Sequence, residues 1–127
     1  MHDKPSAAQL VAAVRDFLEK VAQPELRGHS AFHARVAANA LAIVERELAL
    51  GSEQDAAERE RLRALLGRDG ELEAQNRELC RAIRAGEITL DAPGLLDHLR
   101  ATTLAKLAVD QPGYSGYRRA LEREDAK

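Results

Sequence analysis

The chain has 127 residues and a formal net charge of −2, and its apolar residues are mostly alanine and leucine, with no tryptophan. This length suits a single domain, 1–127, and the composition favours closely packed helices over sheet. The near-neutral charge excludes a field that recruits nucleic acid. The single cysteine, Cys80, excludes an internal disulfide framework. Without a signal peptide or a membrane-length apolar stretch, we expect a cytoplasmic protein that does not enter a membrane.

The first helix is predicted by a capping box at Ser6. The Ser6 side chain can cap the helix while Gln9, three residues on, reaches back to the Ser6 backbone. Apolar residues follow at helical spacing, so we expect a helix over 7–22. It should end before Pro24, since proline does not fit a helix interior.

The second helix, from His29 or Ser30 to Leu50, contains the densest apolar run of the chain. At about 100° per residue, its apolar positions spread over roughly half of the helix circumference. A face of that width is typical of a central helix packed by more than one neighbour. Gly51 is expected to end it as a C′ glycine.

The rest of the chain predicts three more helices and a tail. Ser52 is expected to cap the third helix, 53–66, and Gly86 to end the fourth, 71–85, in which Leu79 and Cys80 face inward. Residues 87–90 are predicted to be extended or irregular.

Asp91 is expected to cap the fifth helix, 92–109, with Leu95, Leu96 and Leu99 on its inner side. A short, charged helix or turn ends the chain near Glu124. The prediction is an all-α, single-domain bundle of about five helices with a short C-terminal helix or turn.

Polar residues along the second helix form a candidate anion site. Arg35, Asn39 and Arg46 fall on one border of its apolar stripe, because steps of four, seven and eleven residues return to nearly the same face. Two guanidinium groups and an amide can bind an anion or a carboxylate, or they can tie this helix to its neighbour.

Glu47 and Lys106 each lie inside an apolar stripe. If their helices are neighbours, the two side chains can form a buried ion pair, with His33 or Asp110 completing a polar pocket. The alternative is that both long side chains reach out to water. The candidate polar or anion site therefore comprises His33, Arg35, Asn39, Arg46, Glu47 and Lys106.

No catalytic, cofactor or metal signature occurs in the sequence. His29 and His33 have the spacing of two metal ligands but lack a third, and Cys80 reads as a small core residue. No phosphate-binding glycine loop is present. We therefore expect no cofactor and no metal, and a role other than enzyme is favoured.

The segment PGYSGYRR, 112–119, contains both tyrosines of the chain. Tyr114 and Tyr117 can anchor the chain end, which is the favoured interpretation because an unanchored end would fray. Alternatively Tyr114, Tyr117 and Arg118 contact a partner, since tyrosine and arginine are enriched in interface hot spots.

The segments FHARVAANALAIVERELALG and KLAVDQPGYSGYRRAL resemble an uncharacterised bacterial all-helical family, and the resemblance covers nearly the whole chain. Its members are encoded beside, or fused to, kinases similar to aminoglycoside phosphotransferases, commonly with an acyl-CoA dehydrogenase nearby. The resemblance implies an accessory role in acyl-substrate metabolism and carries over no functional residues.

The resulting hypothesis is a non-catalytic accessory protein that binds a phosphotransferase-like kinase or the acyl-CoA dehydrogenase. Alanine-rich helices with broad apolar faces leave surplus apolar surface, which indicates a homodimer. The alternative hypothesis is a small-molecule binding protein or minor enzyme that holds an anionic acyl or phosphate group with Arg35, Asn39 and Arg46.

Overall fold

The computed structural model describes residues 3–127, and every regular element in that range is a helix. The all-α prediction is confirmed. The chain divides into two compact units, the first ending at Gly51 and the second beginning at Ser52. None of the helices within residues 3–127 is long and apolar enough to cross a membrane.

The first helix, α1 (Ala7–Phe17), begins as predicted. Gln9 donates its backbone N–H to Ser6 Oγ at 3.2 Å, and the Ser6 N–H donates to Gln9 Oε1 at 2.8 Å. The predicted end before Pro24 was wrong, because a π-helical turn (Leu18–Ala22) leads directly into α2 (Gln23–Glu25). The wider turn accommodates the proline, which lacks an N–H and would crowd the carbonyl four residues back in a regular helix.

One helix, α3 (Gly28–Leu66), replaces the predicted second and third helices. Gly51 and Ser52 lie inside it, so neither acts as a terminator or a cap. A glycine inside a helix costs only about 1 kcal/mol relative to alanine, which the surrounding helix-forming residues tolerate. Gly28, with a φ of 59°, occupies the left-handed region at the start of α3 instead.

We expect Gly51→Ala to raise the free energy of unfolding by about 0.5–1 kcal/mol. An added Cβ would lie 2.7 Å from Glu47 Oε1, the far end of an exposed, flexible side chain that can move aside. Urea denaturation followed by circular dichroism measures the change. A loss of stability would show that Glu47 is held in place over Gly51.

The first unit buries small side chains and exposes large ones. Among residues 3–51, the buried apolar side chains are those of Ala34 and Ala38 on α3, and the Arg15 guanidinium of α1 forms an ion pair with Glu45. The small alanines allow a neighbouring backbone to approach closely. Large apolar side chains left exposed lie on both helices: Leu10, Val14, Phe17 and Val21 toward the N-terminus, and Phe32, Val36, Val44 and Leu48 on α3.

The second unit contains the C-terminal part of α3 with α4 (Leu72–Arg84), α5 (Leu95–Asp110) and α6 (Ser115–Asp125). Its core is formed by Leu62, Leu79 and Leu95, one from each of α3, α4 and α5. Five partly buried apolar residues pack against this cluster: Leu65, Leu66, Leu72, Ile88 and Ala92.

The fourth helix ends as predicted, with Gly86 at a φ of 73° just beyond it. The expectation that Cys80 faces inward was wrong, since Gln75, Leu79 and Ala82 form the buried face and Cys80 is exposed.

The fifth helix begins later than predicted, at Leu95, because Gly94 adopts a left-handed N-cap conformation with a φ of 86°. Its buried side chains are Leu95, His98 and Val109, whereas Leu96 and Leu99 are exposed. The inward face of α5 that was predicted from the positions of its leucines was therefore wrong. The predicted short charged C-terminal helix is present as α6.

Candidate interaction site

The segment between α5 and α6 presents an ordered aromatic side chain to solvent. Tyr114 is 52% exposed, and its ring lies directly over Gly116, where an added Cβ would meet ring carbon Cε1 at 2.6 Å. The Tyr114 backbone is fixed at both ends, since its N–H donates to the Gln111 carbonyl at 3.0 Å and its carbonyl accepts from the Arg118 N–H at 3.1 Å. Gly116, which has no side chain, therefore leaves room for the ring in this position.

The residues around Tyr114 extend this surface. The Arg118 side chain is exposed and reaches back toward Gly113, with Nη2 4.0 Å from the position of an added Cβ, while Tyr117 is half-buried. We call residues 112–119, which include the exposed Tyr114 and Arg118 and the two glycines, the PGYSGYRR segment. Of the two interpretations of this segment, anchoring suits the half-buried Tyr117, and partner contact suits the exposed pair.

Helices α5 and α6, on either side of this segment, are held together by polar contacts. Arg100 Nε lies 3.2 Å from Glu124 Oε1, and Arg100 Nη2 donates to the Ala120 carbonyl at 3.5 Å. On the same helix as Arg100, Leu96 and Leu99 are 58% and 41% exposed. The leucines lie about 16 Å or more of helix from the segment that follows α5, so the α5–α6 pair offers apolar side chains at one end and the aromatic ring and guanidinium at the other.

The predicted polar strip on α3 is only partly brought together. The Arg35 guanidinium lies over the Phe32 ring, 5.6 Å from its centroid, and the His33 ring meets the same phenyl ring edge-on at 5.6 Å. His33, Arg35 and Asn39 are exposed and Arg46 is half-buried. An anion bound by Arg35, Asn39 and Arg46 remains a prediction.

Glu47 and Lys106, for which the sequence left open a buried ion pair or side chains that reach water, are both exposed. Glu47 belongs to the first unit, where its carboxylate covers Gly51, and Lys106 belongs to the second unit. Lys106 lines an open groove of about 610 Å³ with Glu58, Leu72, Glu73, Asn76 and Cys80. A buried charge needs a partner, but both of these charges are in water. The long side chains keep their charged ends in solvent.

A buried histidine on α5 was missed by the sequence analysis. His98 is only 2% exposed, and its Nδ1 has no hydrogen-bond partner within residues 3–127. Burial lowers the pKa of His98, and the positive charge of Arg61 lowers it further, against a smaller opposing effect of Glu58. The imidazole is therefore held neutral. The available signal was its position three residues after Leu95, on the face that also includes Val109.

Polar side chains of α3, α4 and α5 connect these helices near His98. Asn76 donates to Glu58 Oε1 at 2.7 Å, and Arg61 Nη2 donates to Thr102 Oγ1 at 3.4 Å. Gln54 Nε2 donates to the Ala105 carbonyl at 3.1 Å. These bonds explain the position of the half-buried polar residues and give them a structural role.

Metal binding requires several ligands at one point. Within residues 3–127, no three histidine, cysteine, aspartate or glutamate side chains lie together in an arrangement that could hold a metal ion.

Comparison with known proteins places the chain in a family. No curated protein and no solved structure matches it. The model of the family described as "Domain of unknown function (DUF6285)" matches residues 24–114, which include all of α3, α4 and α5, and Tyr114. The match covers well over half of the chain, and the chain belongs to this uncharacterised domain family.

Proposed function

We propose that the chain is a non-catalytic interaction module, an accessory partner of a phosphotransferase-like kinase in acyl-substrate metabolism. The proposal that the partner is a kinase rests on the family resemblance of the two sequence segments described above. The second of them contains the PGYSGYRR segment. The observation that supports an interaction role most directly is the exposed ring of Tyr114, carried on a hydrogen-bonded backbone.

An exposed tyrosine is suited to binding because it supplies a large contact area with only two side-chain torsions to order. The backbone of Tyr114 is already held by two hydrogen bonds before any partner arrives. Its ring supplies apolar area, and the neighbouring guanidinium of Arg118 supplies donors for carboxylates or carbonyls. Both residue types are enriched in interface hot spots.

The exposed leucines of α5 supply apolar surface to the same pair of helices. Leu96 and Leu99 are separated by three positions and so share one side of α5. An apolar contact with charged residues near it is typical of a protein interface, in which a well-packed centre is surrounded by a polar rim.

The proposed location is the cytoplasm. Cys80 is a free, exposed thiol. An exposed thiol persists in a reducing compartment and is exposed to oxidation outside one.

The test is the affinity of the purified chain for the phosphotransferase-like kinase from the same organism, measured by isothermal titration calorimetry. We expect binding by the wild type and a Kd about 30-fold higher for Tyr114→Ser, equivalent to a hot-spot loss of about 2 kcal/mol. The matched control is Leu90→Ser, which removes a 71% exposed apolar side chain from the same unit.

Equal weakening by Tyr114→Ser and Leu90→Ser would contradict the assignment of the contact to Tyr114. Failure of the wild type to bind the kinase would contradict the partner itself. Circular dichroism of each variant shows that the helices are retained, because both side chains are exposed and support no core.

A further inference from the structure

Exposed residues on the N-terminal half of α3 form a continuous strip centred on Ala40. At about 100° per residue, positions at four and seven residues on either side of Ala40 fall within roughly 40° of it on the helix surface. Positions eight residues away border the strip at about 80°. We call seven exposed residues the Ala40 strip: His33, Val36, Ala40, Val44 and Glu47, bordered by Phe32 and Leu48. Between its centre and its border, at about 60°, lie two further apolar residues, the exposed Ala37 and the half-buried Ile43.

The Ala40 strip reads almost the same in both directions. Val36 and Val44 lie four residues on either side of Ala40, and the large apolar residues Phe32 and Leu48 lie eight residues on either side. A two-fold axis through Ala40, perpendicular to the helix, would therefore place Val36 of one copy opposite Val44 of the other, and Phe32 opposite Leu48. An interface with two-fold symmetry must be self-complementary, since every contact between residues i and j occurs twice, and apolar residues placed opposite apolar ones meet that condition.

The charged residues of the strip obey the same symmetry but with complementary chemistry. His33 and Glu47 lie seven residues on either side of Ala40, so a two-fold axis there places each His33 opposite a Glu47, twice per interface. An imidazole can donate a hydrogen bond to a carboxylate whether or not it is charged. Side chains that are hard to explain on an apolar stripe of one chain become partners across two chains.

We propose that α3 packs antiparallel against α3 of a second copy of this chain, with the two-fold axis at Ala40. The small side chain at the axis keeps the interaxial distance within the usual 8–10 Å range, because a larger residue facing its own copy there would push the helices apart. The valines meet next to the axis, and Phe32 of each copy covers Leu48 of the other. The contact extends over about 24 Å of helix, at 1.5 Å per residue.

The burial pattern of the first unit fits this arrangement. Ala34 and Ala38 are buried on the side of α3 away from the Ala40 strip, while Phe32, Val36, Val44 and Leu48 are 51%, 47%, 42% and 48% exposed. A monomer would therefore keep its larger side chains in water and cover its smaller ones. A second copy removes this apolar surface, which is a main driving force for association.

A different protein could also cover an exposed apolar face, but it would have no reason to match this symmetry. The self-complementary placement of three pairs of positions, including one polar pair, selects a second copy. This inference does not depend on the kinase-binding proposal, which concerns the second unit.

The first experiment is disulfide cross-linking in a Cys80→Ser background. At an interaxial distance near 10 Å and a Cα radius of about 2.3 Å, two copies of residue 40 would have Cα atoms about 5.4 Å apart, within disulfide range. We expect Ala40→Cys to form a disulfide-linked dimer on mild oxidation, whereas Ala57→Cys, exposed on α3 outside the strip, stays predominantly monomeric. Failure of Ala40→Cys to cross-link above the Ala57→Cys level would overturn the proposal.

Helix direction is tested by mixing Phe32→Cys with Leu48→Cys, again in the Cys80→Ser background. Antiparallel packing predicts a mixed dimer that forms at least tenfold faster than either self-linked dimer. Preferential self-linking of each variant would indicate parallel helices and overturn the two-fold arrangement.

The second experiment tests the polar pair by sedimentation equilibrium. His33→Glu places two carboxylates opposite each other at both ends of the strip, and we expect the dimer Kd to rise about tenfold. Adding Glu47→Lys to that variant restores opposite charges and should return the Kd to within about threefold of wild type. A monomeric wild type, or a Kd that neither change moves, would contradict the proposal, and kinase binding would be unaffected in either case.

Discussion

Leu62→Ala is expected to lower the free energy of unfolding by about 3–5 kcal/mol. Leu62 is 0% exposed and contacts a cluster in which Leu79 is 3% and Leu95 is 1% exposed. Because these three leucines come from α3, α4 and α5, the deleted methyl groups leave a cavity where three helices meet, and no single side chain can move to fill it. A loss of that size is a large part of the total stability of a small domain.

Urea denaturation followed by far-UV circular dichroism, at one fixed protein concentration, measures this loss. The control is Leu96→Ala, the same chemical change on α5 at a side chain that is 58% exposed, for which we expect less than about 1 kcal/mol. Similar losses for the two variants would mean that Leu96 belongs to the core. That result would restore the inward face predicted from the leucine pattern of α5.

Local signals in the sequence identified the helix ends that depend on local chemistry. The capping box at Ser6 and the glycine stop at Gly86 were predicted correctly, because each involves residues only a few positions apart. Gly51 was misread for the same reason. A glycine next to a serine is compatible with a break or with a continuous helix, and the long flanking runs of helix-forming residues decide for the helix.

Side-chain orientation depends on the neighbouring helices and was harder to predict. On α5 the buried positions include His98, while the neighbouring Leu96 and Leu99 face solvent. A hydrophobicity pattern assigns the leucines to the core by residue type, and it contains no information on a histidine whose cost of burial is met by remaining neutral. The exposed apolar surfaces that carry the candidate sites were therefore invisible in the pattern, since each residue there reads as core.

The symmetry of the Ala40 strip, in contrast, was already present in the sequence. His33 and Glu47 were recognised as misplaced within an apolar stripe, but their separation was read as part of a pocket within one chain. Their exposure shows that the stripe itself is uncovered, which changes the meaning of both residues. The apolar stripe of α3 can therefore be assigned to a core or to an interface only when the burial of its side chains is known.

His98 is expected to make the protein less stable in mild acid. Its pKa is lowered by burial and by Arg61, so the folded state binds fewer protons than the unfolded chain once the pH falls below the ordinary histidine value of 6.5. The free energy of unfolding should therefore fall as the pH is lowered from about 7.5 to about 5.5, by up to about 1.4 kcal/mol per pH unit below 6.5. Above that pH both states are neutral at this residue, and its contribution does not change.

His98→Met should remove most of this acid sensitivity while filling a similar volume with an apolar side chain. At about pH 7.5 we expect it to be as stable as wild type, or more stable by about 1–3 kcal/mol, because the buried Nδ1 without a hydrogen-bond partner within residues 3–127 is eliminated. The control His29→Met, at an exposed histidine, should keep the wild-type dependence on pH.

Thermal unfolding across that pH range distinguishes the outcomes. If His98→Met lost stability in acid as steeply as wild type, the protons would bind elsewhere, and the neutral buried imidazole would not be their origin. If His98→Met were strongly destabilised at neutral pH, the imidazole would make a contact that its free Nδ1 does not suggest. Retained stability with a flat pH profile would identify His98 as a residue that packs the core at the expense of tolerance to acid.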